Sequence, residues 1–284
     1  MTRIAILGPG LLGGSIALAM ESLPGAEIRL WGRRAEVLEE AARRGIGAFH
    51  STRLCEVVDG ADIVVACVPV GVMEGVIREA LPALGTKTLV TDVGSVKGTV
   101  VRVLGPLLEG KALFVGSHPM AGSEKTGLDA ARADLFQGSV CIVTPEPATS
   151  PEAVTKASLF WEKLGCRVRQ LDPVVHDQVC ARISHVPHVA AAALVNAVAQ
   201  RCPEAFGFSG PGFRDTTRVA GGAPSMWTEI LLSNREAVSQ GLRALVDQLE
   251  EVIALLEQNE GSVSAPLDAF LSAAKQRRDQ LRLR

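Results

Sequence analysis

"RIAILGPGLLGGS", residues 3–15, is the stretch whose reading decides the fold. An apolar run from Ile4 to Leu7 leads directly into Gly8-x-Gly10-x-x-Gly13, and a helix-compatible segment follows. In such a strand-turn-helix unit Gly8 permits a tight turn, Gly10 lets the backbone approach a pyrophosphate, and Gly13 lets the helix pack closely on the strand. Helix N–H groups are then left aimed at the anion. The motif alone would also fit a merely tight turn. Its place after a strand and before a helix makes it a dinucleotide site, with Gly8, Gly10, Leu11, Leu12 and Gly13 as expected contacts.

Outward from this loop, β-rich apolar runs alternate with helical segments. "EIRLWG", "DIVVACVP", "TLVTDVGS", "ALFVGSHP" and "SVCIVTP" read as further strands. Their near-continuous apolar character is that of parallel strands covered on both faces. "AEVLEEAARRG" and "VMEGVIREALPALG" between them have helical periodicity, so the first half is an α/β, doubly wound sheet. Near "CRVRQLDP", residues 166–173, the character changes. A helical run from Val174 to about Gln200, a Gly/Pro-rich stretch and a final amphipathic segment follow, without a convincing strand. The expected organisation is a dinucleotide-binding domain over 1–170 and an all-helical domain over 171–284. Val238, Leu242, Leu245, Leu249, Val252 and Leu256 share one face of the last segment. That stripe suits either a dimer interface or packing within one chain.

Composition limits the function. With 284 residues and 47% hydrophobic content the chain can bury real cores, and a formal charge of -2 without a basic stripe argues against nucleic acid. No leader-like segment opens the sequence and no apolar stretch reaches about 18 residues, so the expectation is a soluble, cytoplasmic protein without a membrane partner. The six cysteines show no C-x-x-C pair and no zinc-ligand spacing, and read as reduced structural thiols.

An NAD site would carry an acidic residue at the end of the second strand, where it holds the ribose hydroxyls. Here "LWGRRAE" puts Gly32 at that place, followed by Arg33 and Arg34. Guanidinium groups pair with a 2'-phosphate and stack on adenine, so NADP is preferred over NAD, although two arginines at a helix start can also be merely solvated.

Ligands of an open α/β sheet bind beyond the carboxyl ends of its strands. Three such loops carry chemistry: "CVPV" (67–70), with Val68 and Pro69 against the cofactor, "DVGSVKG" (92–98) and "GSHPMAGSEKTG" (116–127). Ser95 and His118 suit acid-base work on a substrate hydroxyl, though a lone loop histidine can equally be tied into local hydrogen bonds. In "ISHVPHVA", His185 and His188 share a helix face, while Pro187 removes the N–H that would bond the Ile183 carbonyl and so kinks the helix. Paired histidines bind metals or simply pack between helices, and no further ligands are evident, so no metal is expected. Arg214 and Arg218 in "GFRDTTRVAGG" could hold an acidic substrate, or pair with Asp215.

In this order, "GPGLLGGS", "DVGSVKG", "HPMAGSEKTG", "SHVPH" and "FRDTTRVA" resemble the prephenate/arogenate dehydrogenase family of tyrosine biosynthesis, from about residue 3 to the final helices. The resemblance implies a Rossmann-type N-terminal domain and a helical domain that forms a homodimer. It implies oxidative decarboxylation of prephenate or arogenate to 4-hydroxyphenylpyruvate or tyrosine, with hydride transfer to NADP or NAD. His118 looks like the family's catalytic histidine and Ser95 like the serine that shares the hydroxyl contact beside the nicotinamide. His188 and Arg218 match substrate-binding positions, with Ser123, Glu124, Arg214, Trp227 and His185 as further pocket residues. With the sequence ending at Arg284, neither a fused chorismate mutase nor an ACT domain is expected, and tyrosine feedback would act at the active site. Competing readings are a β-hydroxyacid-type dehydrogenase, which favours a catalytic lysine that "DQVCARISHVPHVAAAALVN" lacks, and a dinucleotide sensor without turnover.

Overall fold

The structure is a computed structural model that describes residues 1–122, 125–258 and 260–281. It divides into two compact units, residues 1–235 and 236–284.

The first unit begins with β1 (Thr2–Leu7), α1 (Leu11–Glu21), β2 (Ala26–Trp31), α2 (Ala35–Arg43), β3 (Phe49–Ser51), α3 (Leu54–Val58), β4 (Ile63–Ala66) and α4 (Val70–Ala80). It continues with β5 (Leu89–Asp92), α5 (Gly98–Leu108), β6 (Leu113–Phe114), β7 (Gly116–Pro119), β8 (Val140–Thr144), α6 (Pro151–Lys163) and β9 (Arg167–Gln170). Six strands form one parallel sheet in the order β3-β2-β1-β4-β5-β6. Strand order reverses direction between β1 and β4, and the loops after these two strands carry the glycine motif and "CVPV". That is the topological switch point where dinucleotides bind in doubly wound sheets.

The unbroken apolar runs have a direct cause. Along β1, Ile4 and Ile6 enter one core cluster and Ala5 and Leu7 the other, on opposite faces of the sheet. The same division separates Val65 from Val64 and Ala66 on β4, and Leu89 from Val90 on β5. Successive side chains of a strand point to opposite faces, so burial of both faces requires every residue to be apolar.

Four details differ from the reading of the sequence. "ALFVGSHP" is two strands: Leu113–Phe114 closes the parallel sheet, while Gly116–Pro119 pairs antiparallel with β8. "SVCIVTP" therefore belongs to a separate three-stranded sheet, β7-β8-β9. His118 stands within strand β7, not on a loop. β3 and β9 escaped notice because each is short and neither has an unbroken apolar run, as edge strands commonly do not.

Beyond β9 the first unit is helical: α7 (Pro173–Cys180), a π-turn at Ala181–His185, α8 (Val186–Arg201), α9 (Pro211–Thr217) and α10 (Pro224–Ser233). Asp172 caps α7 by accepting from the N–H groups of Val174 (2.8 Å) and Val175 (3.2 Å), with Pro173 at the first helical position. The wide turn lies immediately before Pro187, where the expected kink falls, since a π-turn accommodates the missing hydrogen bond and the ring. Most of the Gly/Pro-rich stretch is built into α9 and short 3-10 turns at 203–208 and 218–221. The second unit consists of α11, which starts at Arg235 and ends at Leu256, and α12 (Glu260–Gln280). On α11, Val246, Leu249, Ile253 and Leu256 are exposed.

Candidate active site

The glycine loop is sterically committed. Gly8 has φ +106°, and a Cβ there would lie 2.6 Å from the Cys67 carbonyl oxygen, which fixes how closely the β1 and β4 loops approach. A Cβ at Gly13 would lie 2.2 Å from the Gly8 oxygen, so the first turn of α1 packs on the strand end only with glycine. At Gly10, by contrast, a Cβ would meet nothing within 4 Å, and α1 has no side-chain cap. An open cradle in front of an uncapped helix N-terminus fits a dinucleotide pyrophosphate. Leu11 and Leu12 form that first turn, and Val68 and Pro69 follow β4 across the switch point. Arg33 and Arg34 are exposed just after β2, and buried Gly32 stands at the strand end.

A cavity of about 540 Å³ gathers residues from distant parts of the first unit. Of the residues named from the sequence, Ser95, His118, His185, Arg218 and Trp227 line it, together with Arg132, Ser184 and Met226, which the sequence analysis did not single out. The Arg132 N–H donates to Ser15 Oγ on α1 at 3.0 Å, which joins the cavity wall to the helix that follows the glycine loop. His188 does not line the cavity but stacks on Trp227, with centroids 3.5 Å apart and planes 10° from parallel. Gly222 makes room for that indole: a Cβ there would lie 2.3 Å from Trp227 Nε1. Arg214 is exposed on α9, outside the lining. Ser123 and Glu124 lie outside the described residues.

Behind His118 is a buried polar assembly that the sequence reading missed. His118 Nδ1 is 2.9 Å from His176 Nε2, and His176 Nδ1 is 2.8 Å from Asp177 Oδ1. The Asp177 carboxylate also accepts the N–H groups of Lys97 (2.7 Å) and Gly98 (2.8 Å) where α5 begins. Cys180, one helical turn beyond His176, puts its thiol 3.3 Å from His176 Nε2. The signal was present as "HDQVC": histidine and cysteine four apart share a helix face. Asn234 donates from Nδ2 to the Asp177 carbonyl at 2.8 Å and lies 3.2 Å from His185 Nδ1. The carbonyl contact identifies that end of Asn234 as its NH₂, so His185 Nδ1 accepts and the proton sits on Nε2. Among the described residues His185 Nε2 has no hydrogen-bond partner.

These environments set the charges. Burial, then His176, Lys97 and His185, hold the His118 imidazole well below the ordinary 6.5. Burial lowers His185 to about 4, against the attraction of Asp177. Burial also lowers His188, against a hydrogen bond to the Val219 backbone. Burial would raise Asp177, but hydrogen bonds from His176, Lys97 and Gly98 outweigh it and leave the carboxyl lowered. Burial and the Asp177 charge push the Cys180 thiol up to about 12. The cavity is therefore bordered by neutral imidazoles at neutral pH, a state suited to accepting a proton.

His118, His176 and Cys180 are also the one set of three potential metal ligands that converge among the described residues, within 4.8 Å of one another. Two imidazole nitrogens on a tetrahedral zinc, each about 2.05 Å from it, stand roughly 3.4 Å apart. The observed 2.9 Å is a hydrogen-bond separation instead.

Comparison with known proteins places the chain in a family. The family model for the prephenate dehydrogenase nucleotide-binding domain matches residues 17–170, and that for the prephenate dehydrogenase dimerization domain matches residues 172–270. The chain is 34% identical to a cyclohexadienyl dehydrogenase of Zymomonas mobilis, covering 91% of this chain and 90% of the relative. It is 33% identical to a prephenate dehydrogenase of Bacillus subtilis, over 99% of this chain and 76% of that one. Among solved structures, prephenate dehydrogenase from A. aeolicus in complex with hydroxyphenyl propionate and NAD+ superposes with a TM-score of 0.91 at 31% identity, covering 99% and 98% of the two chains. Synechocystis arogenate dehydrogenase gives 0.83 at 29%, covering 99% and 100%.

Proposed function

The chain belongs to the prephenate dehydrogenase family, and from that premise we propose how its residues divide the work. It is an NAD(P)-dependent oxidoreductase of tyrosine biosynthesis that oxidises and decarboxylates prephenate or arogenate. The observation that carries the residue roles is the convergence of Ser95, His118 and Arg218, from three separate regions of the chain, on one cavity.

His118 takes the proton of the ring hydroxyl, a role supported by its place on the cavity wall and by the burial that leaves its ring unprotonated at neutral pH, with a lone pair free to accept. Ser95 shares the contact to that hydroxyl and orients it. The bound nicotinamide supplies the hydride acceptor. As the carbon bearing the hydroxyl gives up its hydride, the ring carboxylate leaves as carbon dioxide and the electrons of that bond complete the aromatic ring. The phenol oxygen then recovers its proton from His118, so the step is balanced without another acid. Aromatisation drives the reaction, and the protein's share is orientation and proton handling.

Arg218 clamps a substrate carboxylate, and His185 offers the N–H of its neutral ring, a reading supported by its unpartnered Nε2. Trp227 forms one wall of the site, and His188 stacks on it and supports it. Arg214 belongs to the substrate-binding set only if α9 turns toward the ligand. NADP is preferred over NAD, supported by Gly32 in place of a carboxylate and by the exposed Arg33 and Arg34. Residues 1–170 hold the dinucleotide, and residues 171–284 complete the substrate site and form the homodimer. The exposed apolar residues of α11 support that association. Six unbridged cysteines favour a cytoplasmic location, and no helix among the described residues is long and apolar enough to cross a membrane.

The test is formation of reduced dinucleotide by the purified chain in four combinations, prephenate or arogenate with NAD or NADP. Turnover that is fastest with NADP supports the cofactor assignment, and the better substrate identifies the side chain accepted. Silence in all four, with a dinucleotide still bound, would overturn the roles given to His118 and Ser95.

A further inference from the structure

We propose that His118 is held with its proton on Nδ1 and its Nε2 lone pair toward the cavity by a hydrogen-bond chain that starts at the Asp177 carboxylate and passes through His176. His176 and Asp177 are thus positioning residues for the base, and the inference rests on the role of His118 given above.

The direction of the chain follows from donors that cannot reverse. The backbone N–H groups of Lys97 and Gly98 can only donate, and each meets an oxygen of Asp177, at 2.7 and 2.8 Å. An ionised carboxylate accepts and cannot donate, so the 2.8 Å contact to His176 puts the proton on His176 Nδ1. In a neutral imidazole the other nitrogen, Nε2, is then a lone pair. Two groups face that lone pair: the Cys180 thiol at 3.3 Å and His118 Nδ1 at 2.9 Å. The thiol also lies 3.7 Å from His118 Nδ1, too distant to supply the proton of the 2.9 Å nitrogen–nitrogen contact, so opposite a bare His176 Nε2 that proton has to be carried by His118. His118 Nδ1 therefore donates, and its Nε2, the nitrogen left for the cavity it borders, is bare.

The consequence for proton transfer is specific. Neutral histidine has a choice of two tautomers, and only one can accept the substrate proton. When His118 becomes cationic, its Nδ1–H already points down a chain that ends on a negative charge anchored by backbone amides. Acceptance is therefore met by a preset dipole rather than by rearrangement. All the members are buried, so water does not compete for these bonds.

Nitrogen-15 NMR of the full chain labelled at its five histidines reads the tautomer directly, with signals assigned by single substitutions. His118 is expected to show a protonated Nδ1 and a bare Nε2; the opposite pattern would overturn the proposal without any variant. His176→Phe keeps a ring in the site but removes the acceptor. A proton on His118 Nδ1 would then have only the Cys180 sulfur, a weak acceptor 3.7 Å away, so it moves to Nε2. The expected result is that tautomer switch, with kcat reduced about 10²-fold or more and substrate KM and dinucleotide Kd within about threefold. A variant that keeps kcat within about threefold, or keeps His118 protonated on Nδ1, would also overturn it. If the variant does not fold, the wild-type spectrum decides alone. Failure of His118 as base would appear instead as turnover surviving His118→Asn, whatever the tautomer.

Discussion

Lys97 and Asp92 form an ion pair in which neither side chain is exposed to solvent, and both also hold strand β7. Lys97 Nζ donates to the Ser117 carbonyl at 2.9 Å, and the Ser117 N–H donates to Asp92 Oδ1 at 3.1 Å. The pair thereby locks the loop that carries Ser95 against the strand that carries His118. Lys97→Met is expected to cost about 3–5 kcal/mol, because it leaves a buried carboxylate without its counter-charge. Urea denaturation measures this, and adding Asp92→Asn should restore part of the loss. A cost below about 1 kcal/mol would mean that the pair is not what fastens the loop.

His118→Asn should lower kcat about 10²- to 10⁴-fold, the range for removal of a general base, with dinucleotide binding retained. Steady-state kinetics beside a dinucleotide titration separate the two quantities. Near-normal turnover would remove His118 from the mechanism.

Arg218→Ala should raise the substrate KM about 10- to 100-fold, the weight of a hydrogen bond to a charged group, with a smaller change in kcat. An unchanged KM would transfer the carboxylate clamp to another cation, with Arg132, which lines the same cavity, as the first to examine.

Arg33→Ser should reduce the preference for NADP over NAD by about tenfold or more, read as the ratio of the two kcat/KM values. The same substitution should leave the substrate KM alone. A ratio that does not move would make Arg33 an ordinary solvated residue.

Acid should weaken the fold through its buried histidines. Folded His185 binds its proton only near pH 4, whereas an unfolded histidine does so near 6.5. Between those values the unfolded chain holds the extra proton, so stability is complete above about 6.5 and declines as pH falls toward 4. His185 alone accounts for on the order of 3 kcal/mol across that window. His118 acts in the same direction. Melting temperatures at pH 7 and 4.5 should therefore differ less in His185→Gln than in the wild type. Equal slopes would contradict the burial of a neutral His185.

Much of the fold was legible in order along the chain. Ile4 to Leu7 could be read as a strand buried on both faces, and Gly8, Gly10 and Gly13 as a tight turn opening a helix, because periodicity and glycine sterics belong to contiguous residues. The helical run after "CRVRQLDP" was legible for the same reason, although the sequence analysis began it at Val174 and the structure caps it at Asp172 with Pro173 as its first residue. The family blocks around His118, His188 and Arg218 were equally local. What local pattern did not contain was strand direction: Leu113–Phe114 and Gly116–Pro119 are separated by a single residue, and only the partners available to each decide that one is parallel and the next antiparallel.

The site divides along the same line. Sequence alone determined which residue types could do the chemistry: a serine after a strand end, a histidine in the block that follows "ALFV", and an arginine in a glycine-flanked segment. Tertiary structure decided their states. His118 meets His176 across 58 residues, and Asp177 meets the start of α5 across about 80, so no window of sequence contains the pair. A tautomer or a proton affinity is set by burial and by whichever charges surround the group, and those neighbours exist only once the chain has folded.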